Sequence, residues 1–269
     1  MYFKKYIIKL TCILYRFFLN INFFILKLLN IKYTHNKSMG FGDGFLYFFL
    51  NYTNIKKKKL FIFNFSKTTS STSEFFFGKK KSLNIFPKLP IRIHYSFMNY
   101  LRFINYKFSC SHLLQYNQKK IINSSTLRYS FKRLIKCKIL KKSKILSGNY
   151  ICIHIKHYNN DLNDISGSSL RQVCDFKKIE KLFLFLLGNR VNIVILNSIF
   201  DGKSHSELKN LVTKINNKKI FFASEILPKF SFEDQCNLAL NSSGYIGTDG
   251  GPLTLYILLG KKSLVFDTF

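Results

Sequence analysis

Residues 244–266 read GYIGTDGGPLTLYILLGKKSLVF and hold the pattern that decides the fold. An apolar run ends at Thr248, a glycine-rich turn follows, and Pro252 opens a second apolar run that Gly260 closes. Proline suits the first turn of a helix, where its missing N–H would have no partner, and glycine suits the position just past a helix. A third apolar run, LVF (264–266), follows between Ser263 and Asp267. This stretch therefore predicts a strand, a helix and a second strand.

The same alternation extends upstream to residue 150. Strands are predicted at 150–156, 191–197 and 219–222, and helices at 175–188, 204–215 and 231–240. The expected helix starts are Asp175 as a cap, Ser204 with Glu207 as a capping box, and Ser231 as a cap. Strands and helices that alternate with short connections predict an α/β fold with a parallel sheet covered by helices on both faces. Ligands of such sheets bind at the carboxyl ends of the strands.

The first half of the chain has a less regular pattern. Residues 45–53 predict a helix after a glycine turn, 60–65 a buried strand and 66–73 a polar loop, with further helices near 95–107 and 125–138. A composition change near Ser147 marks a linker. We therefore expect three parts, namely an amphipathic N-terminal helix (1–35), a basic domain (36–148) and a more neutral domain (149–269).

Positive charge is concentrated in the first half. The chain has 43 Lys and Arg against 13 Asp and Glu, a net charge of +30. Residues 1–150 hold 29 of these cations and only two acids, Asp43 and Glu74, whereas residues 151–269 hold 14 cations and 11 acids. The enrichment in Lys, Asn, Ile and Phe is typical of an AT-rich genome, which would account for part of the charge, but codon bias acts on the whole chain and does not explain this asymmetry. A positive surface suits anionic lipid, nucleic acid or an anionic substrate.

The N-terminal segment has a helical charge pattern. Lys5, Lys9, Arg16, Asn20 and Lys27 fall on one stripe of a helix, with Ile, Leu and Phe around the rest. The longest uncharged run, 17–26, is too short to span a bilayer. Two interpretations stay open, a helix lying on an anionic membrane surface and a helix packed on the core. With no cleavage site predicted, we expect a cytoplasmic protein, peripheral on the inner face of the membrane.

Cysteine spacing predicts no metal site. The chain has six cysteines, Cys12, Cys110, Cys137, Cys152, Cys174 and Cys236, without a C-x-x-C pair or adjacent His clusters. We expect buried, reduced thiols. No recognised nucleic-acid-binding motif appears either, so no specific nucleic acid is expected as a partner.

The turn at 247–252 has the features of a phosphate site. Free backbone N–H groups and the dipole at the start of a helix attract a phosphate. The side chains of Thr248 and Asp249 would add a hydroxyl and a carboxylate. A tight turn without a ligand is the alternative interpretation.

Residues 246–266 resemble the G-T-x-S-G-P…A…L-G-x-P segment of GT-B glycosyltransferases, most closely bacterial sugar transferases related to the heptosyltransferases and to surface-polysaccharide glycosyltransferases. ICIHIKHYN (151–159) resembles the first strand of their donor domain, and SLRQV (169–173) followed by VNIVIL (191–196) resembles the pattern downstream. MGFGDGFLYFF (39–49) looks like the glycine loop near the start of the acceptor domain. The resemblance implies two Rossmann-like domains. It also implies a shortened or truncated member, because GT-B chains normally continue with helices that cross back to the first domain.

The resemblance further implies a metal-independent glycosyltransferase with no cofactor, moving a hexosyl or heptosyl group from a nucleotide-sugar to a cell-surface glycan or lipid-linked acceptor. Its donor-binding residues would be His154, Lys156, Arg171, Gly247, Thr248, Asp249, Gly250, Gly251 and Pro252. Lys156 and Arg171 would neutralise the diphosphate, and Asp43 would deprotonate the acceptor hydroxyl. Lys156 stands where the family often has Arg, and Asp249 where Ser or Thr is commoner.

Alternatives remain for both the residues and the function. Asp43 is equally suited to stabilise its glycine turn, and His154 to pack within its strand. The alternative functions are an inactive or truncated GT-B remnant and a basic nucleic-acid-binding protein.

Overall fold

A computed structural model describes residues 33–36, 41–57, 61–64, 67–84, 124–139, 146–155, 175–197, 203–227, 231–248 and 251–266, together with Leu10, Ile13, Leu14 and Phe17. The helix predicted near 95–107 lies outside these residues. The chain divides into two compact units, Met1–Tyr116 and Asn117–Phe269.

The first unit contains a small parallel sheet. Its strands are β1 (Tyr33–Asn36), β2 (Phe61–Asn64) and β3 (Ser82–Asn84), paired in the order β1-β2-β3. Helices α1 (Phe41–Leu50) and α2 (Tyr52–Lys57) connect β1 to β2, and α3 (Lys67–Phe77) with a 3-10 turn (Lys79–Lys81) connects β2 to β3. Because Tyr33–Asn36 is a strand, residues 33–35 are not part of the predicted N-terminal helix.

Helix α3 replaces the loop predicted at 66–73, and that prediction is wrong. The polar side chains that suggested a loop are used inside the fold: the Ser73 hydroxyl is 2.6 Å from the Ser82 hydroxyl, which also accepts a hydrogen bond from the Asn64 amide at 2.8 Å. The aromatic end of α3 packs on α1, with the Phe48 and Phe77 rings 5.8 Å apart. Tertiary packing therefore overrides the weak helix propensity of Ser and Thr.

The second unit contains a five-stranded parallel sheet, which confirms the predicted α/β fold. Its strands are β4 (Tyr150–His154), β5 (Asn192–Ile195), β6 (Ile220–Phe222), β7 (Gly244–Thr248) and β8 (Lys262–Phe266). Their order is β6-β5-β4-β7-β8, with every neighbouring pair parallel. Numbered along this unit alone, the order is that of a doubly wound sheet, with the first strand in the centre.

Helices cover both faces of this sheet. They are α4 (Ser125–Ile139), α5 (Phe176–Gly188), α6 (Lys203–Ile215), α7 (Ala223–Ile226), α8 (Phe232–Asn241) and α9 (Gly251–Leu258). On one face, Ile153, Ile193 and Ile246 form a single apolar core with Phe183 of α5 and Leu208 of α6. Since alternate residues of a strand point to opposite faces, Tyr150, Cys152 and His154 belong to the other face.

Buried tyrosines dominate this other face, where α8 and α9 pack. The Tyr150 hydroxyl donates to the Leu238 carbonyl of α8 at 2.8 Å, and the rings of Tyr245 and Tyr256 lie 5.0 Å apart. Burial raises the pKa of the Cys152 thiol to about 12, partly offset by the neighbouring Tyr256 hydroxyl. Burial likewise raises the pKa of Tyr256. This layer therefore keeps the Cys152 thiol and the Tyr256 phenol in their neutral, protonated forms.

Two of the three predicted helix starts agree with the structure. The Asp175 carboxylate accepts the Lys177 N–H at 3.0 Å, and Ser231 forms a capping box with Asp234. Helix α6 begins at Lys203, so Ser204 is the second residue of the helix and not the residue before it, as predicted. Each capped helix begins where its sequence signal predicts, because a cap satisfies orphan N–H groups locally.

The end of α8 has a cationic cap that the sequence did not predict. The Lys261 ammonium donates to the carbonyls of Leu240 and Ser242 at 2.8 and 2.7 Å. A cation suits a helix C-terminus, where carbonyl groups are left without helical partners. Burial lowers the pKa of Lys261, and the charge of Lys132 on α4 lowers it further.

Helix α4 packs within the second unit, against α8 and α9. Its start at Ser125 and end at Ile139 match the helix predicted at 125–138. The unit containing it begins at Asn117, upstream of the domain boundary expected from composition. Cys137 on this helix is exposed, contrary to the expectation of buried thiols, whereas Cys152 and Cys236 are buried.

Candidate functional site

The carboxyl edge of the five-stranded sheet has a topological switch point. Strand β4 lies in the centre, and the chain leaves it toward β5 on one side before returning to β7 on the other. Adjacent strands whose connections diverge in this way leave a crevice at their carboxyl ends, which is where doubly wound sheets bind ligands. His154 and Gly247 are register partners at this edge. These two strand ends therefore frame the candidate site.

Gly247 allows β7 to approach β4 closely. A Cβ built on Gly247 would overlap the carbonyl oxygen of His154 and lie 3.0 Å from its backbone nitrogen. The obstruction is backbone, which no side-chain rotation removes. Glycine at this position is therefore required by strand packing, whatever role the turn has toward a ligand.

Thr248 is held tightly at the end of β7. Its side chain is fully buried, and its hydroxyl lies 3.4 Å from the His154 carbonyl, to which it donates. Its own carbonyl accepts a hydrogen bond from the Tyr245 hydroxyl at 2.9 Å. These contacts fix the direction in which the chain leaves the sheet toward α9.

Asn197 stabilises the neighbouring strand end. Its side-chain amide donates to the Ile155 carbonyl at 2.6 Å, and its side-chain oxygen accepts the Ile155 N–H at 2.9 Å. Both residues are completely buried. The amide thus continues the sheet ladder one residue beyond β4 and fixes the backbone that follows His154.

Asn197→Ala should lower the free energy of unfolding by about 2–4 kcal/mol, because it leaves a buried N–H and a buried C=O of Ile155 without partners. Urea unfolding followed by circular dichroism measures the change. The matched control is Asn189→Ala, which removes one exposed hydrogen bond to the Phe185 carbonyl and should cost less than about 1 kcal/mol. Equal losses in the two variants would contradict the role assigned to Asn197.

Two histidines lie at the same edge. His154 ends β4 and is 4% exposed, in agreement with its alternative interpretation as a packed strand residue. His205 lies in the first turn of α6, and its ring meets Phe222 at the end of β6 edge-on, with centroids 5.2 Å apart. Both side chains are buried, so they pack within the protein beneath this edge of the sheet.

Helix α9 begins three residues after β7. Gly251 is its first residue and Pro252 its second, and both are partly exposed. The first backbone N–H groups of a helix have no partners within it, and its dipole places positive charge at this end. An anion at the switch point would meet these groups.

The predicted site residues separate into three sets. His154, Gly247 and Thr248 come together at the paired ends of β4 and β7, and Gly251 and Pro252 open the helix that follows. Asp43 belongs to the first unit, where its backbone is helical within α1 and does not form the expected glycine turn. Lys156, Arg171, Asp249 and Gly250 lie outside the described residues.

The strand predicted at 191–197 ends at Asn197, but the sequence did not indicate the bond of Asn197 to Ile155. Nor did it indicate the contact between Tyr245 and Thr248. An Asn directly after a buried strand was the only local signal for the first, and nothing in the spacing of Tyr245 indicated the second. Among the described residues, no group of three or more His, Cys, Asp or Glu is arranged to hold a metal ion.

Comparison with known proteins gave no match: no family model, no curated protein and no solved structure resembles this chain closely enough to assign it to a family.

Proposed function

We propose that this protein is a glycosyltransferase whose second unit binds the diphosphate of a nucleotide-sugar at the switch point between β4 and β7. The observation that carries the proposal is the start of α9 at Gly251, three residues after the buried Thr248. Support comes from the general behaviour of doubly wound sheets, in which a helix that starts at the carboxyl edge binds anions through its first backbone N–H groups. The two-domain GT-B architecture and the glycan or lipid-linked acceptor belong to the same proposal.

The chemistry follows from the charge of the leaving group. When the bond between the sugar and the diphosphate breaks, negative charge grows on the diphosphate. A helix N-terminus stabilises that charge with fixed donors, and Lys156 and Arg171 would add cations. In the first unit, Asp43 would accept the proton of the acceptor hydroxyl as it attacks the sugar. The proposed transfer thus uses side chains and backbone dipoles alone.

Gly251→Asp tests the proposed phosphate contact. A carboxylate in the first turn of a helix is favourable for the helix itself, so the variant should fold. The same carboxylate would repel a diphosphate bound at that turn. We expect a UDP-, GDP- or ADP-sugar to raise the melting temperature of the wild-type protein. At a ligand concentration one hundred times the Kd, binding stabilises the folded state by about 2.7 kcal/mol. In Gly251→Asp the rise in melting temperature should vanish.

Gly251→Asn is the matched control, because it adds a side chain of the same size and shape without the charge and should retain most of the shift. If none of the nucleotide-sugars raises the wild-type melting temperature, the proposal is wrong. Release of nucleoside diphosphate in the presence of an acceptor separates a working transferase from an inactive remnant, which would bind the donor without turnover.

A further inference from the structure

An apolar stripe lies exposed near the N-terminus. Leu10, Ile13, Leu14 and Phe17 are helical, and their side chains are 49%, 51%, 53% and 62% exposed. Their spacing of three, four and seven residues places them on one face of a helix. Among the described residues these four are the only large exposed apolar side chains upstream of Phe61. Contiguous exposed apolar surface of this kind marks an interaction site.

The surrounding sequence defines the charge of the partner. Residues 1–35 contain six Lys and Arg, at 4, 5, 9, 16, 27 and 32, and no Asp or Glu. Lys and Arg near an apolar helical face favour an anionic lipid surface, because they pair with headgroups while the apolar side chains enter the acyl boundary. Each such cation near the surface strengthens the attraction to anionic lipid.

We propose that the stripe formed by Leu10, Ile13, Leu14 and Phe17 docks on an anionic lipid bilayer and lies in its interface. Within the part of the chain that the structure describes, no helix has the length and hydropathy needed to cross a bilayer. The four exposed fractions also argue against the packed-helix alternative at these positions, since a core helix would bury this face. The proposal does not depend on the glycosyltransferase function.

The absence of tryptophan from the chain provides a sensitive test. Phe17→Trp places the only tryptophan of the chain at the last position of the stripe, where its emission can be excited selectively over the 15 tyrosines. Its emission should be that of a water-exposed indole in buffer, and should shift to the blue when phosphatidylcholine vesicles containing phosphatidylglycerol are added. Brominated acyl chains should then quench it. The matched control is Phe185→Trp on α5, at a side chain that is 67% exposed in the second unit, whose emission should not change.

Two further measurements distinguish the attraction to charged headgroups from the burial of the apolar side chains. The shift should be weak with pure phosphatidylcholine and should decrease as salt is added, because salt screens the headgroup attraction. Ile13→Asp with Phe17→Asp should weaken vesicle binding at least about tenfold, whereas Leu184→Asp with Phe185→Asp should not.

Three results would overturn the proposal. One is an indole emission at position 17 that vesicles leave unchanged. Another is equal vesicle binding by the two Asp double variants. The third is a dimer that Ile13→Asp with Phe17→Asp converts to a monomer without any change in vesicle binding, which would assign the stripe to contact between two copies of the chain.

Discussion

Gly247→Ala is expected to destabilise the second unit by about 3 kcal/mol or more, lowering its melting temperature by on the order of 10 °C. The added methyl group would overlap the His154 carbonyl oxygen on the neighbouring strand. Relief requires β7 to move away from β4, which would open the sheet next to its central strand. Thermal unfolding followed by far-ultraviolet circular dichroism measures the loss.

Gly188→Ala provides the control for this substitution. Gly188 ends α5, and a Cβ built there meets nothing within 4 Å. Alanine at that position should leave stability unchanged or raise it by up to about 1 kcal/mol, because alanine has the higher helix propensity. A Gly247→Ala protein as stable as the Gly188→Ala protein would show that β4 and β7 are not packed as closely as described.

Alkaline pH is expected to destabilise the second unit strongly. The pKa of Cys152 rises on folding from 9.0 to about 12, because burial disfavours the thiolate. Between these values the unfolded chain loses a proton that the folded chain keeps, so stability falls as the pH rises. Cys152 alone accounts for about 4 kcal/mol by pH 12. Burial raises the pKa values of Cys236, Tyr150 and Tyr256 as well, which adds to the effect at high pH.

Lys261 opposes this trend weakly. Its lowered pKa means that the folded state gives up its proton before the unfolded state does, so its contribution favours folding as the pH rises toward 10.5. The ammonium is only partly buried, and solvent screening keeps this contribution small.

Cysteine variants separate the contribution of the Cys152 thiol to the pH dependence of stability from the contributions of the other titrating groups. Urea unfolding measured at several values between pH 8 and pH 11 gives the slope of stability against pH. Cys152→Ala should reduce that slope, because the group that titrates differently in the two states is gone. Cys137→Ala removes an exposed thiol and should leave the slope unchanged. Identical slopes for the two variants would contradict the assignment to Cys152.

The second unit could be predicted from sequence because its signals are local. Asp175 and Ser231 cap helices through their own side chains, and the buried strand Tyr150–His154 reads as a short apolar run between polar residues. In the first unit, the prediction and the structure disagree at α3. There, the composition of residues 66–73 suggested a polar loop, but Lys67–Phe77 is a helix whose Ser73 bonds to Ser82, nine residues away in sequence.

The candidate site could be predicted only in part, because only some of its contacts join residues that are close in sequence. The strand, turn and helix around Gly247 and Pro252 follow from residues adjacent in sequence. The bond between Asn197 and Ile155 joins residues 42 positions apart, and it exists only once β4 and β5 are paired. Residue type alone cannot indicate a contact that depends on the assembled sheet.

The central position of β4 has a consequence for biosynthesis. Its partner β7 begins at Gly244, so the nascent chain must be extended by some ninety residues before the second side of β4 can pair. Pairing between strands so distant in sequence is slow, and exposed strand edges are prone to aggregate while they wait. We therefore expect a ribosome-bound intermediate in which β4 and β5 have formed, with an open edge that is a target for chaperones until Gly247 emerges.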